Sequence, residues 1–324
     1  MKFVDVKNDV AFRKIFGNEQ KTQILISFLN AVLKLENENK IREVKIINPY
    51  LLPRVAGEKA SIIDVRAKDE KGRQYVIEMQ MAHVDGFKKR VLYYTCRDYS
   101  MQIERGEQYP LLRPTYFIGI LDFEFLGGTD YLNNHIFMDE KTHEQVFKDL
   151  RMTFIRLRNF NKQADELETL IEKWVFFIKN AENLRVIPEN TDDEGLKEAY
   201  NDADKHSWKK EELIAYDNAS IAEQDIRGRL SSAERTGMER GMKKGMEKGM
   251  KKGMEKGMEK GIEKGIEKGM KKGIQEGEKQ EKAKVVERCY LKKMSTEDIA
   301  EISELTVQEV EKIIEKLKGE KGVG

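Results

Sequence analysis

The feature that most constrains this chain is a turn. Asp69-Glu70-Lys71-Gly72-Arg73 separates two apolar, β-branched runs, Ser61-Ile62-Ile63-Asp64-Val65 and Tyr75-Val76-Ile77-Glu78-Met79-Gln80-Met81. A three-residue turn over Glu70-Lys71-Gly72, with Gly72 as the left-handed residue of a bulged hairpin, pairs Asp69 with Arg73. Counting back along both strands, that register sets Asp64 opposite Glu78. Side chains alternate faces, so Asp64 and Arg66 share a face with Val76, Glu78 and Gln80, while Ile63, Val65, Ile77, Met79 and Met81 point into a core. Directly opposed Cβ atoms lie about 4.5–5.5 Å apart, where like charges destabilise a sheet unless a cation or a proton sits between them. A divalent ion resolves that conflict, although an acid pair on neighbouring strands is by itself more often part of a solvated sheet face.

The surrounding pattern is that of a mixed α/β domain ending near residue 185. Asn8 and Asp9 cap a short helix carrying Val10, Ala11, Phe12, Ile15 and Phe16; a second helix places Ile24, Leu25, Phe28, Leu29, Val32 and Leu33 at helical spacing. Ile41 to Ile47 alternates like a strand. Phe87 to Ile103 suits a helix with Lys88, Lys89, Arg90, Arg97 and Arg105 interleaved. Thr115 to Phe123 is too continuously apolar for a half-exposed strand and reads as buried on both faces. His135 to Met138 and Met152 to Arg158 are further strands, and Glu166 to Asn180 a last core helix. Residues 186–236 read as a polar helical connector.

From Gly237 to Gly277 a glycine recurs every four residues, followed until the last by Met or Ile and usually by Glu-Lys or Lys-Lys. Glycine costs about 1 kcal/mol in a helix interior, whereas Met, Glu and Lys favour one, so the segment is a marginal helix. A period of four drifts about 40° per repeat against a 3.6-residue turn, so its apolar stripe winds round the helix. A solvated spacer is the simpler reading; a self-associating or phosphate-tracking helix is the functional one. Residues 278–324 form a small helical tail in which Ser295 with Asp298, and Thr306 with Glu309, mark two helix starts. It is helix-turn-helix-like, yet Glu309, Glu311 and Glu315 oppose Lys312, Lys316 and Lys318, leaving DNA contact and a structural hairpin both open.

Net charge is +1, so any affinity for nucleic acid depends on how charge is distributed. Cys96 and Cys289 lie far apart without metal spacing, Met1 to Val6 lacks the apolar start of an export signal, and no apolar run approaches the roughly 18 residues of a membrane span. A reducing, cytoplasmic setting is expected. The four histidines lack ligand spacing.

The leading helix, the Asp64 strand, the hairpin to Glu78-Met79-Gln80, the basic helix and the buried strand together resemble the PD-(D/E)XK nuclease superfamily. Asp9 with Phe12-Arg13-Lys14-Ile15-Phe16-Gly17, Phe28-Leu29-Asn30, Asp64, Ile77-Glu78-Met79-Gln80, Tyr93-Tyr94, Arg97, Tyr99, Gly106, Tyr109 and Ile120-Leu121-Asp122-Phe123 resemble the recombination-promoting nuclease/transposase (Rpn) family, as does the repeat with its tail. The resemblance implies a restriction-endonuclease-like core, a mixed sheet flanked by helices, followed by a helical extension, the Gly-x-x-x repeat helix and a small helical hairpin.

It further implies a bacterial, Mg²⁺-dependent DNA endonuclease associated with recombination or a mobile element. Asp64, Glu78 and the main-chain carbonyl of Met79 would hold the ion, with Asp9 a candidate additional acid and Gln80 positioning a water. Lys59, Arg66, Lys88, Lys89, Arg90 and Arg97 would meet DNA phosphates. Two residues depart from the superfamily pattern: Ile63 replaces a proline, and Gln80 replaces a lysine and can carry no positive charge. The second departure keeps an alternative in view, a catalytically weak or inactive DNA-binding protein on a nuclease-derived fold. Self-association through the repeat or the C-terminal helices is a further expectation.

Overall fold

The side chain of Asn8 accepts the amides of Val10 and Ala11 and so opens the first helix, α1 (Asp9–Phe16), which buries Ala11, Phe12, Ile15 and Phe16 on one face. α2 (Thr22–Leu33) follows with the apolar spacing noted above and closes on Lys34 in the left-handed region. The structure, a computed structural model, describes residues 1–51 and 61–320. Next come β1 (Val44–Ile46), the short pair β2 (Tyr50–Leu51) and β3 (Ser61–Ile62), and the hairpin of β4 (Val65–Asp69) and β5 (Gln74–Gln80).

The hairpin turns as expected. Gly72 has φ +82°, its N–H donates to the Asp69 carbonyl at 3.0 Å, and the Asp69 N–H donates to the Arg73 carbonyl at 3.0 Å. Pairing runs from Lys68 with Gln74 up to Val65 with Ile77 and stops there. The continuous strand expected over Ser61–Val65 is broken instead: Ser61–Ile62 pairs with β2, and the Ile63 N–H donates to the Pro49 carbonyl at 3.0 Å. The bend falls on Asp64. It also turns Ile63 away from Val65, so that Ile63 packs with Val76 and Phe87, on the opposite side of the sheet from the one expected.

Beyond the hairpin, α3 (Phe87–Ser100) is shorter than its expected extent to Ile103, and it is followed by β6 (Thr115–Leu121), β7 (Leu132–Ile136) and β8 (Leu150–Arg156). The six-stranded sheet has the order β1-β4-β5-β6-β8-β7, with β5, β6 and β8 parallel and the edges antiparallel. β6 is buried on both sides, as its apolar run requires: Ile118 and Ile120 face one core, Phe117 and Leu121 the other. α3 covers that second core through Phe87, Val91 and Tyr94.

The first core is closed by α1, α2 and α4 (Leu170–Asn180). Thr169 and Glu172 form a reciprocal capping box at the start of α4. The buried Trp174 of α4 donates to Ser27 Oγ at 3.0 Å and packs edge-on against Phe28 and Phe177.

This core does not end near residue 185. α5 (Glu194–Ala203) buries Leu196, Ala199, Tyr200 and Ala203 in it, and Trp208 and Tyr216 join them. At Gly195 α5 comes so close to α2 that an added Cβ would lie 2.6 Å from the Ser27 Cβ and 2.7 Å from the Gln23 carbonyl oxygen. Because the second of these is backbone, Gly195→Ala is expected to cost about 1–3 kcal/mol, read as a lower midpoint in urea with an unchanged slope.

The chain divides into two compact units, Met1–Ser231 and Ser232–Gly324. α6 (Lys210–Leu291) begins in the first, where the Tyr216 hydroxyl accepts the Asp5 N–H at 2.9 Å and the Asn8 side chain donates to Ser220 Oγ at 3.0 Å. In the second unit α6 carries the four-residue repeat, whose Met and Ile side chains are 54–79% exposed. α7 (Thr296–Ser303), capped by Ser295, and α8 (Val307–Glu320) then enclose a small core of Val286, Ile299, Val310 and Ile314. Among the described residues, no helix is long and apolar enough to cross a membrane.

Candidate active site

The strand break prepares the site. Continued pairing would have joined Met79 to Ile63, but Ile63 is bonded to Pro49, so both polar groups of Met79 lose that ladder partner. Asp64 Oδ2 takes the Met79 N–H at 2.9 Å. The Met79 carbonyl is thereby left without the Ile63 donor, at the same end of β5 as Asp64. Side-chain burial separates the acids: Asp64 is 8% exposed, Glu78 5%, and Asp9, on α1, 57%.

Glu78 lies deepest. Its Oε2 accepts the Gln80 Nε2 at 3.2 Å, and its buried Oε1 has no hydrogen-bond partner among the described residues. Such an oxygen retains the full cost of desolvation. Burial, followed by the charge of Asp64, pushes the Glu78 carboxyl up to about 8, against the pull of Arg90 and Arg13. Asp9 is likewise raised, to about 6, by burial and then by Asp64, although its exposure to water softens the effect. Three carboxyl groups are thus crowded at one strand end.

Two arginines answer that crowding. Arg13 Nη2 bridges Asp64 Oδ1 at 2.8 Å and Asp9 Oδ2 at 3.1 Å, one helical turn along α1 from Asp9. Arg90 Nη2 donates to Gln80 Oε1 at 2.6 Å and lies 4.0 Å from Glu78 Oε2, its guanidinium over the rings of Phe87 and Tyr94 at 5.2 and 5.9 Å. The Gln80 amide is therefore clamped, its oxygen on Arg90 and its nitrogen on Glu78. Arg13 was legible only as part of the Phe12-Arg13-Lys14 motif, because nothing local indicates that it reaches Asp64.

The structure distributes the remaining candidates more widely. Arg66 reaches the buried Asp98 at 2.5 Å, Gln74 at 3.2 Å and the Asn48 carbonyl at 3.3 Å, so its donors are engaged inside the fold. Lys88 stands over the ring of Phe125, 5.6 Å from its centre. Lys89 is exposed on α3, and Arg97 packs over Tyr93 and bonds its hydroxyl. Lys59 lies outside the described residues.

Two apolar hollows, of about 510 and 370 Å³, are lined by none of the three acids, Arg13, Gln80 or Arg90. Among the described residues no group of three or more His, Cys, Asp or Glu side chains is arranged to hold a metal ion. What the strand end offers is two buried carboxylates and a main-chain carbonyl, an all-oxygen donor set suited to a hard divalent cation. The unpartnered Glu78 oxygen and the raised Glu78 and Asp9 carboxyls mark it as short of positive charge, and in that sense the residues fit such an ion.

No curated protein and no solved structure matches the chain. Residues 6–233 match the family described as PD-(D/E)XK nuclease family transposase, a span that takes in α1, the Asp64 bend, the Glu78 strand and α3. With most of its length so matched, and with a mixed sheet flanked by helices, the chain belongs to the PD-(D/E)XK nuclease family transposases, in keeping with its resemblance to the Rpn family.

Proposed function

We propose that this chain is a metal-dependent DNA endonuclease that hydrolyses phosphodiester bonds at the cluster of Asp64, Glu78 and Gln80, in the setting of recombination or a mobile element. The observation that carries the proposal is the buried, unpartnered Oε1 of Glu78 beside a second acid, a conflict that a cation removes. Asp64, Glu78 and the Met79 carbonyl would hold Mg²⁺, and Asp9 would add a more exposed acid. The ion supplies Lewis acidity toward the phosphate and a more acidic attacking water. Glu78 would give it a ligand only as a carboxylate, so occupancy would favour the deprotonated form of that side chain.

Gln80, fixed between Glu78 and Arg90, presents its remaining amide N–H to orient a water or a phosphate oxygen. Arg13 and Arg90 supply fixed positive charge on either side of the acids. Lys89 and Arg97 on the outer side of α3 would grip flanking phosphates, and Lys88 beside them. A bacterial cytoplasmic setting is part of the same reading.

Plasmid incubated with Mg²⁺ is expected to be nicked by the wild type and not by Asp64→Ala. In parallel, Mg²⁺ is expected to raise the melting temperature of the wild type at pH 8 and to leave that of Asp64→Ala unchanged. Equal nicking by both proteins would end the assignment. DNA binding without cleavage under Mg²⁺ or Mn²⁺ would make the chain a binding protein on a nuclease fold.

A further inference from the structure

The whole-chain charge of +1 conceals a strong separation of charge. Between Gly237 and Ile274 the chain carries twelve Lys or Arg against six Glu, which leaves the remainder net acidic. On α6 this excess is ordered: every fourth residue from Arg240 to Lys272 is basic, nine positions without interruption, and all are exposed. None of the nine stands in an ion pair among the described residues; the ion pair within the repeat, Lys271 with Glu267, lies on the mixed-charge positions instead. The cations recur about every 6 Å along the helix and turn about 40° with each step.

The glycines point the same way. A Cβ on any of the repeat glycines would meet nothing within 4 Å, so packing within this chain does not require them. Each costs about 1 kcal/mol relative to alanine, and what they leave is bare main chain next to the cations, where a partner can approach closely.

We infer that the cationic ribbon of α6 is a docking surface for the phosphate backbone of duplex DNA. The inference rests on DNA being the substrate, and it names the element that captures it: a net acidic remainder repels a polyanion, whereas this helix attracts one. The winding excludes a planar surface, since the Met and Ile stripe turns with the cations and completes a circuit in about nine repeats, leaving no lasting apolar face for a bilayer. A second copy of the helix would bring two cationic ribbons together. A duplex alongside α6 meets about three successive repeats on any 120° face, each with its cation.

The test uses the full chain in EDTA with a labelled duplex of about 40 base pairs, the wild type beside a variant with all nine ribbon positions changed to Gln, which preserves helix propensity. The variant is expected to bind about 10- to 100-fold more weakly at 0.1 M salt, with a salt slope of log affinity shallower by about 3. Glu255→Gln with Glu259→Gln should act in the opposite direction and tighten binding, a gain that misfolding cannot mimic. Equal affinity and slope in wild type and ribbon variant would overturn the inference, as would binding of the ribbon to phosphatidylserine vesicles in preference to DNA. Asp64→Ala separates the two proposals: if it cuts like the wild type while the ribbon variant loses binding, the site assignment fails and the docking surface stands.

Discussion

Glu78→Gln is expected to abolish DNA cleavage and, in the same protein, to raise the melting temperature at pH 8 in EDTA. In the unfolded chain this carboxyl titrates near its ordinary 4.5; in the fold it titrates at about 8. Below pH 4.5 both states hold the proton, and the group contributes nothing to stability. Between the two values the unfolded chain releases its proton while the folded one keeps it, so stability falls by up to about 1.4 kcal/mol for each pH unit, and above pH 8 the loss is complete. Glutamine, neutral throughout, escapes that loss, so the variant should match the wild type near pH 4 and exceed it at pH 8. Cleavage should drop by at least about 10²–10³-fold. Gain of stability with loss of function is what a site that stores unfavourable burial for a purpose predicts. Identical melting of wild type and variant at pH 8 would mean that Glu78 carries no such burden.

Arg90→Gln is expected to slow cleavage by about 10²-fold while tightening the binding of the divalent ion. The two effects have opposite signs because Arg90 does two things. It fixes Gln80 through a 2.6 Å hydrogen bond, and it lies 4.0 Å from the Glu78 carboxylate, where its charge competes with a metal. Merely structural damage would weaken both cleavage and binding. A lysine at position 80 brings its own charge, so Gln80→Lys introduced into Arg90→Gln should recover much of the lost rate. Mn²⁺ titration followed by electron paramagnetic resonance reads affinity separately from turnover; weaker Mn²⁺ binding in Arg90→Gln would contradict this assignment. The glutamine in place of a lysine is then accounted for by an arginine on the neighbouring helix.

Local chemistry made part of this molecule legible. Gly72 and the Asp69–Arg73 pair fix a register that depends on five consecutive residues, and the both-sides burial of Thr115–Leu121 follows from an apolar run that no half-exposed strand would carry. The break at Asp64 was not legible, because it depends on Ile63 exchanging its ladder partner for Pro49, fourteen residues earlier. The burial of α5 in the first core is not legible, because Leu196, Ala199, Tyr200 and Ala203 are interleaved with Lys, Glu, Asn and Asp, and two of the four are alanines with a weak apolar signal. The bridge from Arg13 to Asp64 and the clamp of Arg90 on Gln80 are tertiary, joining residues 51 and 10 positions apart. The opposition of Asp64 and Glu78 follows from the hairpin register, Asp9 enters only through the family resemblance, and the contacts of Arg13 and Arg90 with these side chains follow from neither.

The bend at Asp64 makes the two acids unequal witnesses. Asp64 fastens the end of β5 with its own carboxylate, which accepts the main-chain N–H that a neighbouring strand would otherwise have engaged. Removing it unties backbone as well as chemistry, so an inactive Asp64 variant convicts the residue without revealing the charge. Glu78 feels the Asp64 main-chain amide as well, a contact that a glutamine oxygen can keep, and among the described residues its Oε1 takes no hydrogen bond, which makes it the cleaner reporter of what the cluster does.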